Sequence, residues 1–147
     1  MGYQFRFDNI LHIKEREKDD ALSIFHESVK KFEDAAEKLY ELLKKKEDLE
    51  SFQSERLITG LPVQEIRHHQ QFILNMEKTI EHYQKMVMNA RNRMNFLQEK
   101  LQEKNIEVKK FTKMKEKDFH KFLNEMKYLE GKQMDDISIQ QFMYREN

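Results

Sequence analysis

Apolar residues recur along the chain at alternating steps of four and three, with one interruption. Before residue 58 the series runs Phe7, Leu11, Lys14, Lys18, Ala21, Phe25, Ser28, Phe32, Ala35, Leu39, Leu42, Lys46, Leu49. Nine of these thirteen positions are apolar. Leu22, Val29, Ala36 and Leu43 add a flanking stripe, so the pattern is a heptad with a third apolar position. After residue 63 the series runs Ile66, His69, Ile73, Met76, Ile80, Tyr83, Val87, Ala90, Met94, Leu97, Leu101, Lys104, Val108, Phe111, twelve of fourteen apolar. It then slips through Lys115 to Phe119, Phe122, Met126 and Leu129. A four-residue insertion of this kind is a stutter, which locally unwinds a supercoil. Two-residue alternation occurs only in YQFRF at 3–7, a run too short to predict a sheet.

The interruption is ITGLPVQE at 58–65. Gly60 and Pro62 do not fit a helix interior, whereas Pro62 before Val63-Gln64-Glu65 suits the start of a new one. The pattern therefore predicts an all-α fold, an antiparallel coiled-coil hairpin forming one domain over 1–147. Helix one covers about 8–57, a turn 58–62, helix two about 63–130, and a tail 131–147 begins at Gly131. At ~1.5 Å per residue the helices are roughly 75 and 100 Å long. So short a connection makes them antiparallel. Residues whose numbers add to about 120 should then face each other, with Phe7 near Lys113 and Phe25 near Leu97 or Gln98. Helix two beyond about 115 has no partner in helix one. Its stripe of Phe119, Phe122, Met126 and Leu129 is left bare, as at a partner or self-association surface.

Composition sharpens this picture. Charged residues make up 37% of the 147, and 38% are hydrophobic, which is too apolar for a disordered chain. Three Gly and one Pro leave few turns. There is no Cys, which excludes disulfides and thiolate chemistry and fits a reducing compartment. No segment has the ~18 apolar residues of a membrane span, and MGYQFRFDNILH matches neither a signal peptide nor a myristoylation site. The net charge is zero, but residues 1–62 carry −3, residues 63–130 carry +4 and residues 131–147 carry −1. An acidic and a basic half can pair with each other, and no basic excess draws in nucleic acid.

Candidate chemistry is sparse. Glu65 and His68 have the Glu-x-x-His spacing of di-iron bundles, but no second copy exists. His68 and His69 point about 100° apart on a helix and cannot easily share a metal. His69 falls on the seam and reads as a half-buried hydrogen-bonding residue, His68 as solvated. Glu116 and His120 form an ordinary i,i+4 surface pair. There is no phosphate-binding glycine loop and no nucleophile elbow. A two-helix seam also offers no concave substrate site. Lys109, Lys110, Lys113, Lys115 and Lys117 form a basic run broken by Glu107 and Glu116, which reads first as a solvated face. The expectation is a non-enzyme without metal or cofactor and without a nucleic-acid partner.

Three stretches, taken in order, resemble a known family. YQFRFDNILHIKEREKDDA at 3–21, HHQQFILNMEKTIEHY at 68–83 and KQMDDISIQQFM at 132–143 are similar to the corresponding runs of the FliJ flagellar export proteins. The resemblance extends over nearly the whole chain. It implies a cytoplasmic coiled coil of the flagellar type III protein export apparatus, peripherally associated with the membrane through other proteins. Implied partners are the hexameric export ATPase, the cytoplasmic domain of the export gate, and export chaperones that the protein escorts. It also implies an export-gate contact through Phe72 and Met76, where Met stands in place of the more usual Leu. Chaperone or other partner contacts are expected at Phe119, Phe122, Met126, Leu129, Met134, Asp135, Asp136 and Ile137, with Ile137-Ser138 replacing the common Phe-Ala. The alternative from the residues alone is a generic structural or self-assembling coiled coil, dimerising through the bare stripe.

Overall fold

In the computed structural model, which describes residues 2–146, the chain folds as two long helices packed against each other. The helix α1 is Asp8–Thr59 and α2 is Val63–Glu146, and no strand occurs among the described residues. Each helix starts on a favourable local signal. Asp8 lies in the first turn of α1 and Glu65 in that of α2, where carboxylates complement the helix dipole. The Leu11 N–H donates to the Phe7 carbonyl at 2.9 Å, and the Ile66 N–H to the Pro62 carbonyl at 3.2 Å. Pro62 thus sits where its missing N–H is harmless.

At the other end of α1 the Thr59 hydroxyl donates to the Arg56 carbonyl at 3.1 Å, and Gly60 takes φ +95°. That conformation ends the helix and is strained for any residue with a Cβ. No neighbouring atom lies within 4 Å of where a Cβ would be placed, so the strain comes from the backbone alone. Gly60→Ala is expected to destabilise the protein by about 1–2 kcal/mol, measured as a shift in the urea midpoint with an unchanged slope.

Contacts divide the chain into two compact units. One comprises Asp20–Gln102. Its core holds Ala35, Met76 and Ile80, each no more than 9% exposed, together with the buried Ser28. The Ser28 hydroxyl is satisfied locally by donating to the Phe25 carbonyl at 2.6 Å. Lys46 pairs with Glu77 at 3.3 Å, and the Phe52 and His69 rings lie 6.0 Å apart. The other unit comprises Met1–Asp19 and Glu103–Asn147. Phe5 and Leu11 are its buried residues. Here Asp8 meets Lys115, Lys14 meets Glu107, and Glu17 meets Lys104. In both units the numbers of facing residues add to slightly more than 120, which is the antiparallel register expected from the turn.

Every position in the two predicted seams from Phe7 to Phe111 is buried or half-buried. The flanking stripe is less covered, because Leu22 and Leu43 are exposed whereas Val29 and Ala36 are half-buried.

Two expectations need correction. The first is the end of helix two, expected near 130 but found at Glu146. Gly131 keeps a negative φ and continues the helix. A single Gly costs only about 1 kcal/mol relative to Ala, and Lys132, Gln133 and Met134 after it are good helix formers. The second is the start of the bare stripe, expected near 115. Residues 3–7 precede α1, and the Tyr3 ring lies against α2, partly covering the stripe at Phe119 and Phe122. From Asn124 onward every described side chain is exposed.

Candidate functional site

Among the described residues, His68 and His69 have different surroundings. His68 is exposed, and His69 is half-buried against Phe52. Among the described residues, no group of three or more His, Cys, Asp or Glu could hold a metal ion. A recess bordered by His120, Lys121, Asn124, Glu125, Tyr128 and Leu129 lies along α2 alone. One helix cannot wall off water from a reacting group. The candidate functional features are therefore surfaces.

The first surface lies just past the turn. Phe72 and Met76 sit one helical turn apart, yet they face differently. Phe72 is 49% exposed, whereas Met76 is 7% exposed and belongs to the core with Ile80. The cause is the period of the helix. Ile73, Met76 and Ile80 follow the three-four spacing that faces α1, and Phe72 stands one residue off it. Gln71 donates a 3.3 Å hydrogen bond to Asn75 beside Phe72, on the same exposed side.

The second surface is the distal part of α2. Phe119, Met126 and Leu129 are 40%, 41% and 53% exposed, and Phe122 is half-buried. Met134 and Ile137 are exposed along the same helix, as are Asp135 and Asp136. Tyr128, Ile139, Phe142, Met143 and Tyr144 are exposed as well. At 100° per residue these large side chains spread well beyond one stripe, so more than one face of the helix is apolar and uncovered. Sequence patterning located the stripe but underestimated this extent, because it ended the helix at Gly131.

The N-terminal aromatics form a third feature, and two-residue alternation was its only signal in the sequence. The Tyr3 ring lies 5.1 Å from that of Phe119 and 5.3 Å from that of Phe122, in edge and tilted arrangements. Its hydroxyl donates to Asp118 Oδ2 at 2.8 Å and to the Lys115 carbonyl at 3.3 Å. Desolvation, then the hydrogen bond to Asp118, pushes the Tyr3 phenol up to about 12. Phe5 is buried, and its ring packs edge-on to Phe7 at 5.8 Å.

Ion pairs surround this strap. The Lys115 ammonium donates to Asp8 Oδ1 at 3.1 Å and holds the Asp8 carboxyl below its usual range. Lys14 Nζ lies 3.0 Å from Glu107 Oε2, which raises the Lys14 ammonium and lowers the Glu107 carboxyl. The carboxylates contribute stability above their unfolded pKa values and lose it as pH falls through the lower folded ones. The ammonium contributes below its unfolded value and loses it as pH rises through the higher folded one. The Asp8 carboxyl is therefore expected to titrate below its ordinary 3.8 by NMR. Lys115→Ala should return it towards that value.

Comparison with known proteins gives these surfaces a context. The family model described as "Flagellar FliJ protein" matches residues 3–147. A Bacillus subtilis (strain 168) protein named "Flagellar FliJ protein" is 57% identical over 143 residues, covering 97% of each chain. No solved structure matches the chain. A family match over nearly the full length, joined to this identity, shows that the chain belongs to the FliJ family of flagellar proteins.

Proposed function

We propose that this protein is a non-enzymatic component of the flagellar type III protein export apparatus. It acts by binding, as a coiled-coil stalk between the hexameric export ATPase and the cytoplasmic domain of the export gate, and as an escort for export chaperones. The observation that carries this reading is the match to a flagellar protein family along nearly the whole chain. The surfaces support it, since the part of α2 that α1 leaves uncovered carries a series of exposed apolar side chains from Phe119 to Tyr144. A helix end placed inside a ring of identical subunits touches them unequally and can bias their cycle. Among the described residues no helix is long and apolar enough to cross a membrane. The reading accordingly places the protein in the cytoplasm, meeting the membrane through its partners.

Within this proposal the gate contact rests on Phe72. Met76, buried at 7% exposure, supports the surface from beneath rather than touching the partner. Chaperone and ATPase contacts are assigned to the distal part of α2, at Phe119 and Phe122 beside Tyr3 and at the uncovered Met126, Leu129, Met134, Asp135, Asp136 and Ile137. The test is co-purification of this chain with the export ATPase and the gate domain, together with stimulation of the ATPase. Failure of both would sink the proposal. Phe72→Ala is expected to weaken gate binding by about tenfold or more while leaving the helical circular dichroism intact.

The uncovered stripe favours a second reading, a self-assembling coiled coil. A dimer that persists on dilution in light scattering, and is lost in Phe122→Asp, would support it instead.

A further inference from the structure

The seam is built differently in its two parts. In Asp20–Gln102 the seam is apolar except at Ser28, Lys46 and His69. In the terminal unit, Lys14, Lys18 and Lys104 occupy seam positions where an apolar residue would otherwise pack. Beside the apolar Phe7, Leu11, Val108 and Phe111, the contacts between the helices there include the ion pairs Asp8–Lys115, Lys14–Glu107 and Glu17–Lys104. All of these charged side chains are at least a quarter exposed. Partly exposed pairs are weak and are screened by salt. Beyond them the strap of residues 3–7 is anchored by the Tyr3 ring on Phe119 and Phe122 and by its hydroxyl on Asp118. The residues under that ring begin the apolar stripe that continues uncovered through Met126 and Leu129. Tyr3 thus occupies the surface that any ligand of the first part of the stripe must take.

We infer that residues 2–19 form a detachable latch, which releases from residues 103–123 of α2 as one step and thereby uncovers Phe119 and Phe122. The latch is an intramolecular competitor. Whatever docks on the whole stripe must displace Tyr3, and chains with the latch closed present a shorter stripe. This does not depend on which partner binds. It follows from a seam in which lysines interrupt the apolar positions, an aromatic cap that holds locally, and one apolar surface shared between cap and stripe. Residues 20–102 keep their helix pairing when the latch opens, because their buried seam does not pass through the strap.

Hydrogen–deuterium exchange on the full chain tests this. Each peptide serves as a control for the others, and residues 124–145, uncovered throughout, set the rate of an unpaired helix. Raising NaCl from about 0.05 to 0.5 M, which shrinks the screening length, is expected to speed exchange in 8–19 and 103–122 together, towards the rate of 124–145. Residues 20–57 and 66–102 should not follow. Tyr3→Ala should accelerate both latch segments by about tenfold at low salt, and Tyr3→Phe by less, since it keeps the ring and loses the hydroxyl. Joining Asp8→Cys to Lys115→Cys with a bismaleimide, in a chain with no other cysteine, should hold both segments slow at either salt. The inference is overturned if Tyr3→Ala speeds residues 2–7 while 103–122 stays protected. It is equally overturned if salt speeds 20–102 as much as the latch, or if the crosslink leaves 103–122 unchanged.

Discussion

Replacing Met76 and Ile80 together by alanine is expected to destabilise the helix pairing by about 4 kcal/mol or more. Both side chains are at most 7% exposed, one turn apart on the face of α2 that meets α1. A buried Met or Ile truncated to Ala costs about 2–5 kcal/mol, the lost burial plus the cavity left behind. The two positions are neighbours, so their effects are coupled rather than strictly additive. A loss of this size is comparable to the whole stability of a modest domain, about 5–15 kcal/mol. Urea titration followed by circular dichroism should show the loss as a large fall in midpoint. Phe72→Ala, four residues before Met76 and half in solvent, should move the same midpoint by about 0.5 kcal/mol or less. A result in which the two variants are equally destabilising would mean that Phe72 packs in the core and cannot be a docking residue. Equal tolerance would mean that Met76 is not buried, and would restore it as a contact candidate.

Truncation after Leu123 is the second prediction, and here stability and function separate. From Asn124 to Arg145 every residue is exposed, and the strap's partners, Lys115, Asp118, Phe119 and Phe122, are all retained. Among the described residues, the remainder is helical backbone that contributes no buried side chain. The melting temperature should stay within a few degrees, a change of about 0.5 kcal/mol or less. The helical signal should fall in proportion to the residues lost. The proposed binding to the export ATPase and to chaperones should nonetheless drop below detection, because the exposed side chains Met126, Leu129, Met134 and Ile137 are gone. Retained binding would move the proposed contacts off this helix. A large fall in melting temperature would show that the helix beyond 123 is covered in solution, as in a self-assembled form.

The first of these experiments bears on two residues that the family resemblance treats alike. Met76 and Phe72 are both apolar and four residues apart, and the resemblance to FliJ proteins pairs them as one contact. Burial separates them, since only Met76 keeps the spacing that faces α1. Periodicity already put Met76 on the seam and Phe72 beside it. What it could not give was the degree of exposure, which depends on how far the helices interpenetrate at that point.

Much of the molecule was nonetheless readable from the order of residues alone. A repeat of 3.5 residues obliges one face of each helix to seek another, and Gly60 with Pro62 obliges the chain to turn. Those two facts determine an all-α antiparallel pair and its register, because a short turn leaves little freedom in which residues meet. The family is legible for a different reason: several motifs recur in the same order. The tertiary structure decided the rest, at the ends. There the seam carries lysines, a lone Gly131 is too weak a breaker to stop a helix, and YQFRF has no period long enough to announce its contacts. Which surfaces stay bare depends on Tyr3 reaching residues more than a hundred positions away. Local patterning cannot specify such a contact, since it is made only after the helices have paired and brought Phe119 and Phe122 within reach of the N-terminus.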